Sequence, residues 1–167
     1  KGDLYISDLC EKWEKSTENS FMKTTILRIG VVLSPASGAL RKLINLCNLN
    51  LGAKLGTGEQ LISWITIDDL IYSILHIIYN KLEGVFNMTT PHPVTQREMV
   101  DKISANLKRT RFISLNEDLV RAVYGKMGDE ILLSSSNAYP EKLIKSGFNF
   151  YFENIDKALR HLMGINS

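Results

Sequence analysis

Residues 24–33, TTILRIGVVL, restrict the possible folds more than any other stretch of this chain. Nearly every residue in this run is β-branched or apolar, which is typical of a strand buried on both faces of a parallel sheet. GVFNM at residues 84–88 is a second run of this kind. Amphipathic helical patterns lie between and around these runs, at about residues 3–18, 38–47 and 68–80. This alternation predicts an α/β fold with an at least partly parallel sheet.

Shorter signals predict the remaining elements. The glycine-containing stretch at 52–60 predicts a turn that could form a hairpin, and 60–67 reads as a short strand. Thr95 and Glu98 form a capping box, so a helix should run from about 95 to 107. A strand at 112–115, a helix at 117–124 and a final helix at about 153–163 complete the pattern.

Charge and composition exclude several classes of function. The net charge of +2 comes from interspersed signs, and the densest basic cluster, at 108–111, is too short for a nucleic-acid surface. The most apolar run, at 70–79, is about half as long as a membrane-spanning helix. Cys10 and Cys47 lack any framework or metal spacing, so we expect buried thiols in a reducing, cytoplasmic protein. None of the three histidines has a partner at ligand spacing, so no metal site is predicted.

The stretch SWITIDDLIYSILHII, at 63–78, joins a strand pattern directly to a helix through two carboxylates. Consecutive helical residues point about 100° apart, so Asp68 and Asp69 are poor partners in one catalytic or metal site. We expect one of them to cap the helix N-terminus instead. The segment Gly56-Thr57-Gly58 lacks the third glycine of a dinucleotide-binding loop and follows a polar turn, which indicates a structural turn.

Several stretches together resemble one family. LRIGVVLS (27–34), GTGEQLISWITIDDL (56–70) and GVFNMTTPHPVTQREM (84–99) resemble the second half of extended short-chain dehydrogenase/reductases. ILLSSSNAYPEKLIKSGFNFYF (131–152) and DKALRHL (156–162) narrow the resemblance to the atypical epimerase family 39U, whose members have their own C-terminal domain.

The resemblance implies the C-terminal half of a Rossmann-like fold, with a part-parallel sheet and a small mixed α/β substrate-side domain. Residues 1–90 would end the NAD(P)-binding domain, with a substrate-side insertion at about 36–66, and residues 91–167 would form the C-terminal domain. Because the chain begins with Lys1 and a helical pattern follows almost at once, we expect it to be part of a longer protein.

The implied activity is that of an NAD(P)-dependent, nucleotide-sugar-epimerase-like oxidoreductase with an unknown small-molecule substrate. NAD or NADP would be held through the intact protein, because the glycine-rich loop is not in this sequence, and the oligomeric state stays open. Backbone contact with the nicotinamide carboxamide maps to Val32 and Leu33, with Gly30 permitting the close approach. Thr66 stands where the family often has histidine.

The family's usual catalytic pair, Tyr-x-x-x-Lys, falls on Ile6 and Cys10, which cannot replace it. Tyr5 lies one residue away and is the alternative proton donor, with Ser7 also near. Two other interpretations therefore stay open. One is a catalytically inactive, dinucleotide-sensing or interaction protein that keeps the fold, and the other is an independent interaction domain of 167 residues.

Overall fold

The computed structural model describes residues 5–17, 23–109, 113–115 and 135–165, and the predicted helix at 117–124 lies outside them. The helices are α1 Tyr5–Lys15, α2 Gly38–Asn48, α3 Ile67–Tyr79, α4 Gln96–Asn106, α5 Glu141–Lys145 and α6 Ile155–Leu162. The strands are β1 Thr25–Ile29, β2 Val31–Leu33, β3 Ala53–Leu55, β4 Leu61–Ile62, β5 Trp64–Thr66, β6 Gly84–Met88, β7 Val94–Thr95 and β8 Ile113–Leu115.

Among the described residues, three of the four strand pairs are parallel, which confirms the predicted α/β class. β1 pairs with β6, β2 with β5 and β3 with β8 in parallel, whereas β4 pairs with β7 in antiparallel. A parallel pair needs a crossover connection, and α2 lies in the connection from β2 to β5.

The run at 24–33 forms two strands, because its neighbour changes at Gly30. The amide of Gly30 donates to Met88 O (3.2 Å), but the next amide, that of Val31, donates to Ser63 O (2.8 Å). The carbonyl of Trp64 accepts from the amide of Thr90 (2.7 Å). β5 therefore lies between β2 and the residues that follow β6. The neighbour of the run at 24–33 changes at Gly30, and we call this division of the sheet the fork.

The predicted burial of this run on both faces is not observed in the described residues. Ile29 is 50% exposed and Val31 is 39% exposed. β1 and β2 each have one strand partner among the described residues, so their other edge is open. An apolar strand pair with an open edge is a surface onto which further sheet could be added.

The predicted hairpin at 52–60 is wrong. Gly56 and Gly58 do form a turn with positive φ, as the sequence indicates, but β3 and β4 pair with different strands. The buried side chain of Gln96 explains the difference: its Oε1 accepts from Leu55 N (3.1 Å) and its Nε2 donates to Ala53 O (3.0 Å). This amide occupies the edge of β3 that a hairpin partner would need.

Two clusters of buried side chains form the core. One cluster packs β2 and β5 against α2, α4 and α6, and the other packs α3 against β5, β6 and α5. The first cluster joins residues 33–64 to residues 94–162. The proposed domain division at residue 90 therefore crosses a shared core, and it stays a prediction.

No helix among the described residues is both long and apolar enough to cross a membrane. Of the two thiols, Cys47 is buried as expected, but Cys10 is exposed.

Candidate functional site

Thr66 is the N-cap of α3, so the predicted capping by an aspartate is wrong. Its hydroxyl accepts from Asp69 N (3.1 Å) at the end of β5. Because the last residue of β5 is extended and the helix begins at the next residue, the capping position falls on Thr66 and not on the carboxylates. The predicted N-terminal cap of α4 is present, with Thr95 Oγ1 accepting from Glu98 N (3.1 Å).

Asp68 and Asp69 instead hold the C-terminal segment. Asp69 is fully buried, and its two carboxylate oxygens accept from the backbone amides of Tyr151 (2.9 Å) and Phe152 (3.0 Å). Burial raises the pKa of Asp69, and these amides oppose that shift. Oδ2 of Asp68 lies 3.2 Å from Nε2 of His161 in α6. The two carboxylates thus make separate contacts, and they tie the junction between β5 and α3 to residues 151–161.

The open edge of β2 can bind a ligand through backbone atoms. Alternate residues of a strand direct their amides to opposite edges. Because the amide of Val31 donates to Ser63, the residue before β5, the amide of Val32 points to the open edge. Val32 is half-buried, whereas Leu33 is buried in the core, so Leu33 can offer only backbone atoms to a ligand.

The requirement for glycine at position 30 has a structural cause. A Cβ atom there would lie 2.7 Å from Ser63 O and 2.7 Å from Cγ2 of Thr89. β5 can approach the strand only because this side chain is missing. The space that a side chain at position 30 would occupy is already filled by atoms of Ser63 and Thr89. This explains the glycine without a cofactor, so the predicted role of Gly30 in cofactor contact stays a prediction.

A segment for which the sequence predicted no structural role closes the other side of the fork. Ser63 Oγ accepts from Ala138 N (2.8 Å) and donates to Ser136 O (2.8 Å), while Thr89 Oγ1 donates to Ala138 O (3.2 Å). Asn87 Nδ2 donates to Tyr139 O (3.0 Å). The run SSSNAYP, at 134–140, contains small polar residues that favour hydrogen bonds between side chains and backbone, and it is a signal from which this segment could have been found.

α1 lies next to β1. Nε and NH2 of Arg28 donate to the two carboxylate oxygens of Glu14 (2.7 and 2.6 Å), and this pair lowers the pKa of Glu14. Cys10 is exposed on α1, one turn before Glu14. The structure therefore brings the helix that carries Cys10 next to β1, the strand that precedes the predicted cofactor contact on β2.

Ile6 and Tyr5 lie in the first turn of α1, as predicted, and the assignment of the catalytic pair stays untested. Among the described residues, no group of three or more His, Cys, Asp or Glu side chains could hold a metal ion.

Parallel strands joined by helical crossovers, with an open edge at a fork in the sheet, define a Rossmann-like α/β protein. The family named Domain of unknown function (DUF1731) matches residues 119–162. An epimerase family protein of Mycobacterium tuberculosis is 36% identical over 162 residues, which make up 95% of this chain and 54% of that protein.

Epimerase family protein SDR39U1 of Homo sapiens is 30% identical over 166 residues, which are 97% of this chain and 57% of that protein. The crystal structure of human SDR39U1 (isoform 2) with NADPH matches with a TM-score of 0.90 at 29% identity, covering 98% of this chain and 57% of that one. Over nearly its whole length, the chain is similar to this epimerase family. It spans about half the length of the curated relatives it matches.

Proposed function

We propose that the chain forms the nicotinamide-side half of an NAD(P)-dependent, epimerase-like oxidoreductase whose substrate is an unknown small molecule. The observation that carries this proposal is the backbone of Val32 at an open strand edge, in a chain whose fold matches an NADPH-bound relative with a TM-score of 0.90. A bound nicotinamide supplies hydride transfer.

In this proposal the open edge of β2 orients the cofactor. The amide of Val32, and the carbonyl groups beside it, would bond the carboxamide of the nicotinamide, and the buried Leu33 would keep the edge rigid. The pyrophosphate must be held elsewhere in the intact protein, because residues 1–167 contain no glycine-rich strand–turn–helix loop. Residues 36–66 would lie on the substrate side.

Proton transfer must accompany hydride transfer, and positions 6 and 10 of this chain do not carry the side chains that usually perform it. Isoleucine at position 6 has no proton to give, and a thiol at position 10 cannot supply the fixed positive charge of lysine. General acid–base catalysis contributes about 10²- to 10⁴-fold to a rate. We therefore expect cofactor binding with weak turnover of ordinary carbonyl substrates, unless Tyr5 or Ser7 acts as the proton donor.

Calorimetric titration of the intact protein with NADPH tests the cofactor contact. Val32→Pro removes one amide from the open edge, where proline is tolerated, and should raise the NADPH Kd about 3- to 10-fold with the fold retained. Val31→Pro is the matched control, because it removes the amide bonded to Ser63 and should disrupt the strand pair itself. An unchanged Kd in a folded Val32→Pro variant would exclude this contact.

The same titration with residues 1–167 alone should show no binding at micromolar NADPH, because the fragment cannot hold the pyrophosphate. Tight binding by this fragment would contradict its assignment as half of the cofactor site.

The second candidate function is that of a catalytically inactive protein that senses a dinucleotide or binds another protein, and the residues at positions 6 and 10 favour it. Steady-state NADPH oxidation by the intact protein across a panel of carbonyl substrates separates the two. Robust turnover that Tyr5→Phe abolishes would support the enzyme, with Tyr5 as its acid. NADPH binding without turnover would support the sensor. The cytoplasmic location inferred from the two unpaired cysteines belongs to the same proposal.

A further inference from the structure

The solvent-facing side of α3 is apolar from Ile71 to Tyr79. Five of its residues, spaced three or four apart, form one stripe, and Tyr151 extends this stripe on one flank; all six side chains are at least half exposed. We call this surface the α3 outer face: Ile71, Tyr72, Leu75, Ile78, Tyr79 and Tyr151. The opposite side of the helix is buried in the second core cluster, so α3 is apolar on both sides.

This surface is large enough for a specific interface. From Leu70 to Asn80 the sequence contains no Asp, Glu, Lys or Arg, and His76 is its one basic side chain. The six exposed side chains present roughly 700 Å² of mostly apolar surface, close to the roughly 800 Å² that each partner contributes to a standard protein–protein interface. Monomeric proteins seldom expose so large a contiguous apolar patch without a partner.

The two flanks of α3 differ, and this difference limits what can cover it. On one flank, a groove of about 630 Å³ runs between α3 and β1 and is lined by Leu27 and Ile74. A strand added to the open edge of β1 would lie on this flank. The opposite flank is a cleft of about 660 Å³ lined by Tyr72, Tyr79 and Tyr151, on the side of the loop at 147–151. A further strand at the open edge of β1 would leave the α3 outer face and the cleft beside Tyr151 uncovered.

We propose that the α3 outer face pairs with the same face of a second copy of this chain, with the two helices antiparallel about a two-fold axis. The charges at the helix ends favour this arrangement. Asp68 lies at the N-terminal end and Lys81 just past the C-terminal end, and the midpoint between them falls beside Leu75. The two-fold axis then places Leu75 against Leu75 and each Asp68 near the partner copy's Lys81.

Antiparallel packing also places the positive end of each helix dipole beside the negative end of the other. Asp68 keeps its contact with His161 through Oδ2, which leaves its other carboxylate oxygen available for this contact. The aromatic cleft beside Tyr151 would receive Tyr79 of the partner copy, because an aromatic side chain in a pocket is the usual anchor of a protein interface.

Sedimentation equilibrium of the intact protein between 1 and 100 μM tests the proposal, as wild type and with Leu75→Glu. Two glutamates facing each other at the axis should raise the dimer Kd about 100-fold or more. Leu46→Glu is the matched control, since Leu46 is another exposed leucine in a helix, outside the α3 outer face, and it should leave the Kd unchanged. Tyr79→Glu, at a position that is 88% exposed, supplies a second variant if Leu75→Glu fails to fold.

A charge exchange tests the orientation of the helices. Lys81→Glu should weaken the dimer about 3- to 10-fold, and adding Asp68→Lys should restore most of that loss, which a merely structural effect would not do.

Three results would overturn the proposal. One is a monomeric wild-type protein at 100 μM, and another is a dimer that Leu75→Glu and Tyr79→Glu leave intact. The third is a monomer whose thermal stability falls strongly with Leu75→Glu but not with Leu46→Glu, because the rest of the intact protein would then cover the face.

Discussion

Replacing Asp69 by alanine should destabilise the protein far more than the same change at its neighbour, Asp68. Asp69 is fully buried, and its carboxylate accepts two backbone amides, from Tyr151 and Phe152. A hydrogen bond to a charged group contributes about 1.5–3 kcal/mol, and a buried donor left without an acceptor is costly. The raised pKa of Asp69 shows that burying this charge offsets part of the gain. We therefore expect a loss of about 3–5 kcal/mol in the free energy of unfolding.

Asp68→Ala is the control in the same turn of the same helix. Asp68 is partly exposed and has one contact, with His161, and exposed pairs of this kind contribute about 0–1 kcal/mol. Urea unfolding followed by circular dichroism measures both variants. With a slope of about 2 kcal/mol per molar urea, Asp69→Ala should lower the midpoint by about 2 M, and Asp68→Ala by no more than about 0.5 M.

Hydrogen exchange locates the loss. In Asp69→Ala, the amides of Tyr151 and Phe152 should exchange faster than those of residues in α4, because they lose their acceptors directly. Equal destabilisation by the two alanine variants, or unchanged exchange at residues 151 and 152, would refute the assignment of Asp69 as the residue that holds this segment.

Three further outcomes follow from the same region. Thr66→Ala should cost about 0.5–2 kcal/mol more than Thr66→Ser, which also loses the methyl group but keeps the capping hydroxyl; equal losses in urea unfolding would contradict the cap. Gly30→Ala should destabilise the protein by about 3 kcal/mol or more, because the new Cβ meets Ser63 O and the methyl group of Thr89 at 2.7 Å; a normal melting temperature would show that β5 can shift away. The raised pKa of Asp69 means that the native state binds a proton more tightly than the unfolded state. The contribution of this proton to stability is therefore greatest below the unfolded pKa, about 3.9, and is lost as pH rises through the folded pKa. Asp69→Asn should remove this decline. If the stability of the wild type relative to this variant instead rose with pH, the predicted direction of the pH dependence would be wrong.

The fold class could be predicted from the sequence because it depends on local patterns of residues. The apolar runs at 24–33 and 84–88 and the helical spacing between them predict a parallel βα arrangement from the hydrophobic effect and strand propensity alone. The capping box at Thr95 and the turn at Gly56 and Gly58 are equally local, since each depends on side chains or backbone angles within a few residues. The order of the quoted motifs likewise sufficed to identify the family.

The roles of individual site residues depended on contacts between distant parts of the chain. Asp69 reads as a helix cap in the sequence, but its carboxylate faces the amides of residues 151 and 152, more than 80 positions away. Gln96 blocks the hairpin edge of β3 across a separation of 41 residues. Gly30 reads as part of a continuous strand, yet the sheet forks there because Ser63 and Thr89 fill the space beside it. Local propensity carries no record of which distant amide or carbonyl a side chain will meet, so only the packed tertiary structure decides these partners.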